Sequence, residues 1–297
     1  MNRAIAPTWR SELGTMTQRG IAMNEARVLL EEVSGRRFAD LFADLDDTLR
    51  DEQIDQLESL VRERLSGVPL QHLIGHWPFR ELELTVDGRA LIPRPETEEL
   101  VSVALAQLEL ARKGATATDL LRRFRVVDLG SGSGAIACSI AHEDTDTQVY
   151  AIERSLGALS LVADNVAQLD ANVRTRITVL EGDWYQPLRD RSIGEVDLIV
   201  ANPPYVTLEE WQQLDSVVRD HDPVEALVAG QTGLEDLAVI IAEAPEFLRD
   251  GGSLVCEIGS TQGEATRSLA TRAGARTVEV KRDLSGRERI LVATFAS

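Results

Sequence analysis

Apolar residues in the first part of the chain recur at helical spacing. Ala26, Leu29, Leu30 and Val33 fall on one helical face, and Gly35 follows where a helix is expected to end. A second set at the same spacing precedes a glycine at position 67 and has charged residues opposite it: Ile54, Leu57, Val61 and Leu65. Strand-like alternation is missing from this stretch of sequence. The pattern therefore predicts a small helical domain over residues 1–75.

The pattern changes to alternation after His76. Leu82, Leu84 and Val86 alternate with polar residues, and Asp87-Gly88 is a turn signal before the apolar run 90–92. This predicts a β-hairpin that turns at Asp87-Gly88 and links two domains across residues 76–95. Proline and acidic residues in the segment that follows, 93–98, favour the first turn of a helix.

The remainder of the chain, residues 96–297, alternates apolar strand candidates with helical stretches. The strand candidates are Arg125–Leu129, Gln148–Glu153, Ile177–Glu181, Val196–Ala201, Ser253–Ile258, Thr277–Val280 and Arg289–Thr294. The helical stretches lie around 134–143, 155–169, 234–249 and 262–273. Such alternation predicts an α/β domain with a mainly parallel, doubly wound sheet.

Composition narrows the classes of function. The chain has 49 acidic and 31 basic residues and a net charge of −18, which disfavours nucleic acid as the main partner without forbidding a local basic groove. Cys138 and Cys256 each lie in an apolar run, so we expect buried thiols rather than a disulfide or a metal site. With no apolar run near about 20 residues and no signal-peptide pattern, the sequence predicts a cytoplasmic protein that does not enter a membrane.

A glycine-rich loop follows the first strand of the α/β domain. The sequence runs from Asp128 through Gly130-Ser131-Gly132-Ser133-Gly134 into a predicted helix. A dinucleotide fingerprint would space its glycines as G-x-G-x-x-G, but here the third glycine comes one residue early. The loop is more similar to the nucleoside loop of S-adenosylmethionine-dependent methyltransferases. The remaining alternative is a tight strand-to-helix turn that binds no ligand.

Acidic and aromatic residues follow the next two strands. Glu153 ends the second strand about 20 residues after the loop, the spacing at which an acid reaches ribose hydroxyls. NAD would use the same geometry, and a helix-capping acid is a further alternative. Asp183 and Trp184 follow the third strand. Asp183 is predicted to accept a hydrogen bond from the adenine amine, and Trp184 is predicted to pack on the adenine ring. Simple packing within the protein is the alternative for the tryptophan.

The fourth strand ends at Asn202-Pro203-Pro204-Tyr205. Two prolines stiffen the turn and remove two donors, so nearby carbonyls stay available as acceptors. An asparagine beside such carbonyls, with a flat aromatic ring next to it, suits a planar NH2 group. A proline-rich turn without chemistry is the alternative. Four successive strands thus direct candidate ligand groups to one crevice, and their coincidence favours a site.

These segments together resemble the protein-(glutamine-N5) methyltransferases that modify peptide chain release factors, the HemK/PrmC family. The resemblance is carried by residues 91–98 (LIPRPETE), 127–137 and 202–205, and later by Ala226-Leu227 with Gly230 and Gly233, Glu257-Ile258-Gly259 with Gln262, and 283–287 (DLSGR). Two positions depart from the family pattern: Glu153 stands where aspartate is usual, and Asp222 where glutamate is common.

The resemblance implies a class I S-adenosylmethionine-dependent methyltransferase fold: Rossmann-like, with a seven-stranded, mostly parallel sheet. It implies that Gly130, Ser131, Gly132, Ser133, Gly134, Glu153, Asp183, Trp184 and Asn202 bind the methyl donor, with no metal. The Asn202 side-chain oxygen and the Pro203 carbonyl would accept the two hydrogens of a glutamine amide.

Further roles also come from the resemblance. Tyr205 would pack on the amide plane while Pro204 stiffens the turn, so that Asn202, Pro203 and Tyr205 form the catalytic set and Pro204 completes the substrate-binding set. Arg94 and Glu96 would brace the acceptor side, and His221 would be structural or face a partner. The helical domain would bind the release factor and present its Gly-Gly-Gln loop.

Two other functions remain open on the sequence. An adenine-N6 methyltransferase acting on nucleic acid would use the same Asn202–Tyr205 tetrapeptide, although it commonly needs a basic groove or an added recognition domain. A non-catalytic module could bind S-adenosylmethionine and engage a partner through its helical domain. The intact tetrapeptide beside an intact glycine loop favours an enzyme.

Overall fold

The computed structural model describes residues 6–115 and 122–296. Contacts within the chain divide it into two compact units. The first unit comprises Met1–His76 and a short segment from later in the sequence, Ser216–His221. The second unit comprises Trp77–Asp215 and Asp222–Ser297.

The first unit is helical, as the spacing of its apolar residues predicted. Its helices are α1 (Trp9–Gln18), α2 (Met23–Ser34), α3 (Phe38–Leu41), α4 (Asp51–Leu65) and α5 (Leu70–Ile74). The predicted face of α2 is buried, and Gly35 ends that helix in the left-handed conformation at φ 67°. On α4, Leu57 and Val61 are buried, whereas Leu65 is exposed because it lies in the last turn.

A hairpin of β1 (His76–Phe79) and β2 (Leu82–Thr85) follows, but its turn was predicted wrongly. The chain reverses at Arg80, whose φ is 53°, and not at Asp87-Gly88. The Asp87 carboxylate accepts from the backbone N–H of Arg89, so the chain does turn there, yet residues 90–92 pair with no strand. They lead instead to α6 (Pro95–Gly114).

The second unit is built on a seven-stranded sheet. Its strands are β3 (Phe124–Leu129), β4 (Thr147–Glu153), β5 (Ile177–Glu181), β6 (Val196–Ala201), β7 (Leu248–Glu257), β8 (Ala275–Arg282) and β9 (Glu288–Phe295). The strand order is β5-β4-β3-β6-β7-β9-β8, and only the pairings of β9 with β7 and β8 are antiparallel. This confirms the predicted α/β class and the seven-stranded, mostly parallel sheet.

Helices connect the strands. They are α7 (Ala135–Glu143), α8 (Leu156–Gln168), α9 (Ala171–Arg174), α10 (Gln186–Asp190), α11 (Leu208–Gln212), α12 (Ser216–Arg219), α13 (Glu235–Phe247) and α14 (Gly263–Arg272); α12 belongs to the first unit. Within the described part of the chain, no helix is long and apolar enough to cross a membrane.

Two apolar clusters cover the two faces of the sheet. Val126 packs with Leu100 of α6 and Ile140 of α7 on one face, while its neighbour Val127 packs with Ile240 of α13 on the other. Successive side chains of a strand point to opposite faces, so a strand covered on both faces is mostly apolar; in β3 the exceptions are Arg125 and Asp128. This explains why most residues of the central strands are hydrophobic.

The strand register aligns the predicted site residues. Leu129 at the end of β3 is paired with Ala201 at the end of β6, so Gly130 and Asn202 follow neighbouring strands at the same level. The chain runs outward from β3 to β5 and then returns to place β6 on the other side of β3. Ligands of such sheets bind beyond the carboxyl ends of the strands where the order reverses.

Candidate functional site

A cleft opens in the second unit beside the residues that follow β3, β4, β5 and β6. It contains about 950 Å³ of space, part of which is open solvent. The predicted residues that line it are Gly130, Ser131, Gly132, Ser133, Glu153, Asp183, Trp184, Asn202, Pro203 and Pro204. Residues 89–94 and Thr97 line it as well, so the segment that carries the family resemblance borders the same cleft.

The glycine loop is shaped by left-handed backbone and by bonds within the protein. Gly130, Gly132 and Gly134 have φ values of 70°, 56° and 82°, a region that side chains disfavour. Gly134 does not line the cleft. A Cβ there would lie 2.5 Å from Val162 Cγ2, so this glycine permits close packing against α8. A Cβ at Gly130 would lie 3.3 Å from the Trp184 ring.

Backbone donors of this loop are largely used inside the protein. The N–H groups of Gly130 and Ser131 donate to the Ile152 carbonyl, and that of Gly134 donates to the Ser131 carbonyl. The N–H of Gly132 donates to Glu153. Four N–H groups of the loop are therefore bonded to acceptors within the protein.

Glu153 is buried and braces the loop. Its Oε2 accepts from Gly132 at 2.9 Å, and its Oε1 accepts from the backbone N–H of Ser155, the residue before α8, at 2.8 Å. The acid therefore joins the glycine loop to the residue before α8, and it also lines the cleft. Each carboxylate oxygen has a further lone pair with which to accept from a ligand hydroxyl.

Asp183 and Trp184 lie together at the end of β5. The Asp183 carboxylate is half exposed and lies 3.7 Å from Arg154 Nη1. Trp184 has a φ of 42°, a rare conformation for an aromatic residue. Its ring packs against the apolar cluster of the sheet and borders the cleft, so packing and ligand contact are combined in one side chain.

The tetrapeptide after β6 divides between the cleft and the protein interior. Asn202, Pro203 and Pro204 line the cleft. Tyr205 is not one of the described residues that line it. The Tyr205 hydroxyl donates to Glu257 Oε1 at 3.2 Å, and its ring packs against the apolar cluster that includes Leu237. Burial and the Glu257 charge raise the pKa of Tyr205.

Thr97 and Glu257 are functional candidates to which sequence reasoning gave no role. Asn202 Nδ2 donates to Thr97 Oγ1 at 3.1 Å, and Thr97 Oγ1 donates to Glu257 Oε2 at 2.9 Å. Both residues are almost fully buried, and burial raises the pKa of Glu257 to about 6. In the sequence, these two residues were indicated only by the family resemblance, because both lie in segments that match the family.

Gln262 and Gly233 hold the backbone of the tetrapeptide. Gln262 Nε2 donates to the carbonyls of Tyr205 and Gly233 at 3.0 and 2.9 Å, while its Oε1 accepts from the backbone N–H of Gly259. A Cβ at Gly233 would lie 2.5 Å from the Tyr205 carbonyl oxygen. These two residues therefore keep the turn in place, and sequence reasoning had missed this role.

Arg94 pairs with Asp222 within the second unit. Arg94 Nη2 donates to Asp222 Oδ2 at 2.7 Å, and the Asp222 side chain is 1% exposed. The pair ties the start of α6 to the segment before Pro223, and Arg94 and Pro223 both line the cleft. Glu96 does not line it; its charge contributes to raising the pKa of Glu257. His221 falls in the first unit, where its ring faces Gly67.

Comparison with known proteins identifies the family of the chain. The family model described as PrmC N-terminal domain matches residues 14–75, and the one described as methyltransferase small domain matches residues 115–220. The release factor glutamine methyltransferase of Xylella fastidiosa (strain 9a5c) is 40% identical over 239 residues, 80% of this chain and 80% of that protein. The Escherichia coli (strain K12) protein of the same name is 36% identical over 271 residues, 91% of each chain.

The chain belongs to the family of release factor glutamine methyltransferases. A Bacillus subtilis (strain 168) member is 35% identical over 94% of this chain and 93% of its own. Among solved structures, the hMettl16 catalytic domain in complex with the MAT2A 3'UTR hairpin 6 is similar, with a TM-score of 0.54 and 16% identity over 83% of this chain and 82% of that one. At this identity the likeness shows the class I methyltransferase fold alone.

The cleft of this family member fits the methyl donor expected of a methyltransferase. A nucleoside with a sulfonium side chain carries no phosphate and does not require the four N–H groups of the glycine loop that are bonded within the protein. Glu153 offers acceptors to ribose hydroxyls, and Trp184 offers an apolar ring beside the glycines. Among the described residues, no cluster of three or more His, Cys, Asp or Glu side chains could hold a metal ion.

Proposed function

We propose that this protein transfers a methyl group from S-adenosylmethionine to the side-chain amide nitrogen of a glutamine in peptide chain release factors. One observation carries the proposal. The register of β3 and β6 brings Asn202 level with the glycine loop, so an amide acceptor and a donor-binding loop share one cleft. The names of relatives that align with at least 80% of the chain supply the class of substrate.

The chemistry that this site must support is transfer to a weak nucleophile, because an amide lone pair is delocalised into its carbonyl. S-adenosylmethionine, when bound, supplies an electrophilic methyl group. Asn202 Oδ1 and the Pro203 carbonyl accept the two amide hydrogens, which orients the nitrogen and polarises it toward the methyl carbon. The new N–C bond forms as the S–C bond breaks, and the excess proton leaves the nitrogen for water.

The roles of the remaining site residues follow from where they lie. Gly130, Ser131, Gly132 and Ser133 border the donor side of the cleft with Glu153, Asp183 and Trp184. We assign Glu153 to the ribose and the Asp183–Trp184 pair to the adenine. Gly134 acts through packing. Tyr205 contributes by fixing the end of the tetrapeptide through its bond to Glu257, and contact of its ring with the glutamine amide remains a proposal.

The domain organisation belongs to the same proposal. Residues 1–75 would bind the release factor, 76–95 would link the two domains, and 96–297 would carry the methyl transfer. The match of residues 14–75 to a domain named for this family supports a dedicated N-terminal role. A release factor with its Gly-Gly-Gln loop as substrate would place the reaction in the cytoplasm, where translation terminates.

A labelling assay tests this function against the two alternatives. The protein is incubated with methyl-labelled S-adenosylmethionine and, in parallel, a release factor, DNA and RNA. We expect label on the release factor and none on a release factor whose loop glutamine is replaced by alanine. Label on nucleic acid would show an adenine-type methyltransferase instead. Binding of S-adenosylmethionine without transfer to any substrate would show a non-catalytic module.

A further inference from the structure

An asparagine amide has an accepting end and a donating end of nearly the same shape. The proposed function, on which this inference rests, requires Asn202 to present its oxygen to the substrate, because a glutamine NH2 group can only donate. Presenting the NH2 end instead would place donor against donor. Something in the protein must therefore select one of two amide orientations that differ little in shape.

Hydrogen bonds among three side chains, Asn202, Thr97 and Glu257, select the orientation of the amide. Asn202 Nδ2 donates to Thr97 Oγ1 at 3.1 Å, and Thr97 Oγ1 donates to Glu257 Oε2 at 2.9 Å. The second carboxylate oxygen, Oε1, accepts from the Tyr205 hydroxyl at 3.2 Å. Thr97 is 3% exposed and Glu257 is 2% exposed, so water has little access to this chain.

The direction of each bond follows from the carboxylate. An ionised carboxylate has no hydrogen and only accepts, so the single hydroxyl hydrogen of Thr97 must point at Glu257. Toward Asn202, the Thr97 hydroxyl oxygen can then only accept a hydrogen bond. The amide must turn its NH2 group toward Thr97 to avoid two opposed acceptors, and its oxygen then faces the other way.

We propose that Glu257, acting through Thr97, fixes the polarity of the Asn202 amide so that Oδ1 is presented to the substrate. Thr97 and Glu257 are positioning residues in this scheme: of the three side chains, it is Asn202 that contacts the glutamine. The strand register explains how Glu257 reaches this place. Ala201 is paired with Cys256, so the residue after each lies at the same edge of the sheet.

Protonation of Glu257 would reverse the direction of these hydrogen bonds. A neutral carboxyl group can donate to Thr97, whose hydroxyl is then free to donate to Asn202 Oδ1 and draw the oxygen away from the substrate. Burial raises the pKa of Glu257 to about 6. Glu96 on α6 raises it further, whereas Arg289 on β9 and the bonds from Thr97 and Tyr205 lower it. Loss of kcat is therefore expected as pH falls through about 6.

The variant Thr97→Val tests the scheme because it keeps the shape of the side chain and removes the hydroxyl. We expect kcat to fall by roughly 10- to 100-fold, the cost of a misdirected catalytic group. Affinity for S-adenosylmethionine should stay within about twofold, and Thr97→Ser, which restores the hydroxyl, should recover most of kcat. Thr147→Val is the matched control: it removes a buried hydroxyl bonded to the Asp144 carbonyl at the start of β4, and we expect no change in kcat.

The pH profile separates positioning from mere structural support. Wild-type kcat should show an acid limb near pH 6, and Thr97→Val should lack it, because the variant no longer couples Glu257 to Asn202. A Thr97→Val enzyme with wild-type kcat would overturn the scheme, as would Thr97→Ser being no better than Thr97→Val.

A second readout needs neither activity nor a folded variant. In wild-type protein, the NMR signals of the Asn202 side-chain NH2 group should shift with a midpoint near pH 6 as Glu257 titrates. Signals that stay constant from pH 5 to 8 would overturn the scheme. Failure of wild-type protein to methylate a release factor would instead refute the proposed function, and the NMR titration would still decide whether Glu257 controls Asn202.

Discussion

The backbone N–H of Gly132 donates to Glu153 Oε2 at 2.9 Å, which joins the loop after β3 to the end of β4. The same carboxylate also accepts from Ser155 at the start of α8. One buried acid therefore fixes two of the segments that line the donor side of the cleft. Because the contact lies within the protein, it restricts the conformations of the glycine loop and so lowers the ordering cost of ligand binding.

Glu153→Ala should weaken S-adenosylmethionine binding. The change removes a charged acceptor for two backbone donors as well as the predicted ribose contact. A hydrogen bond to a charged group contributes about 1.5–3 kcal/mol, so affinity should fall roughly 10- to 150-fold. Titration calorimetry measures it. Glu153→Asp, which carries the acid usual in the family, is the control that should bind more tightly than the alanine variant. Unchanged affinity in Glu153→Ala would remove this residue from the site.

Asn202→Ala should strongly slow methyl transfer with little effect on the affinity for the methyl donor. Its side-chain oxygen acts on the glutamine amide, and loss of one such group costs about 100- to 1,000-fold in kcat. Single-turnover methylation of a release factor measures the loss, and calorimetry should give a donor affinity within about twofold of wild type. An equal loss of donor binding would contradict a role confined to the acceptor.

Arg94→Ala should destabilise the second unit and lower activity on the protein substrate. The change removes the Arg94 guanidinium that pairs with the buried Asp222 carboxylate. Breaking a buried ion pair costs about 3–5 kcal/mol. Arg94 is itself about one-third exposed, so we expect about 1–3 kcal/mol after screening by solvent. Urea unfolding measures this. Lys113→Ala, which breaks an exposed pair with Glu109, should change stability by less than about 0.5 kcal/mol.

Gly233→Ala should reduce activity more than another glycine substitution of equal backbone strain. Gly233 has a φ of 73°, and an added Cβ would meet the Tyr205 carbonyl and the Gln262 side chain. Gly274, with a φ of 90°, has no atom within 4 Å of the added carbon. Both alanine variants should lose about 1 kcal/mol or more from backbone strain, but only Gly233→Ala should lower kcat. Equal kcat values would show that the turn tolerates displacement.

Asp128→Asn should change stability in a pH-dependent way. Burial raises the pKa of Asp128 to about 7, aided by the Glu153 charge, whereas the unfolded value is about 4. Between these pH values the folded state retains a proton that the unfolded state has released. The contribution of Asp128 to wild-type stability therefore falls as pH rises from about 4 to 7. Asparagine does not titrate, so the stability of the variant relative to wild type should be greater at pH 8 than at pH 5. Thermal unfolding at both pH values measures it.

Asp283→Asn provides a control of opposite sign. Hydrogen bonds from Ser285 and Arg287 lower the pKa of Asp283 to about 2. Its contribution to stability is present above about pH 4 and is lost as pH falls toward 2. The asparagine variant should be less stable than wild type at pH 7. A constant difference for Asp128→Asn across pH would show that its carboxyl group is not protonated in the folded protein.

The strands and the main ligand loops could be predicted from the sequence because their causes are local. A strand buried on both faces is mostly apolar, so Val196–Ala201 is visible as a run of apolar residues interrupted at Asp197, and its predicted bounds agree with those of β6. The glycine loop is visible because its left-handed backbone needs glycine. The hairpin turn at Arg80 was not visible, because tertiary contacts hold a residue of ordinary turn preference there: its guanidinium donates to Glu143 and Ser102.

The sequence by itself determined the two-part organisation, the α/β class and which loops carry ligand groups, since hydrophobic period and turn chemistry act over a few residues. Only the tertiary structure decided what those groups bond to. Thr97 and Glu257 are 160 positions apart and meet because α6 begins beside the end of β7. The orientation of Asn202 depends on that meeting. Hydrogen-bond direction is set by the partner's chemistry, and the partner is chosen by strand order and register, which no local pattern encodes.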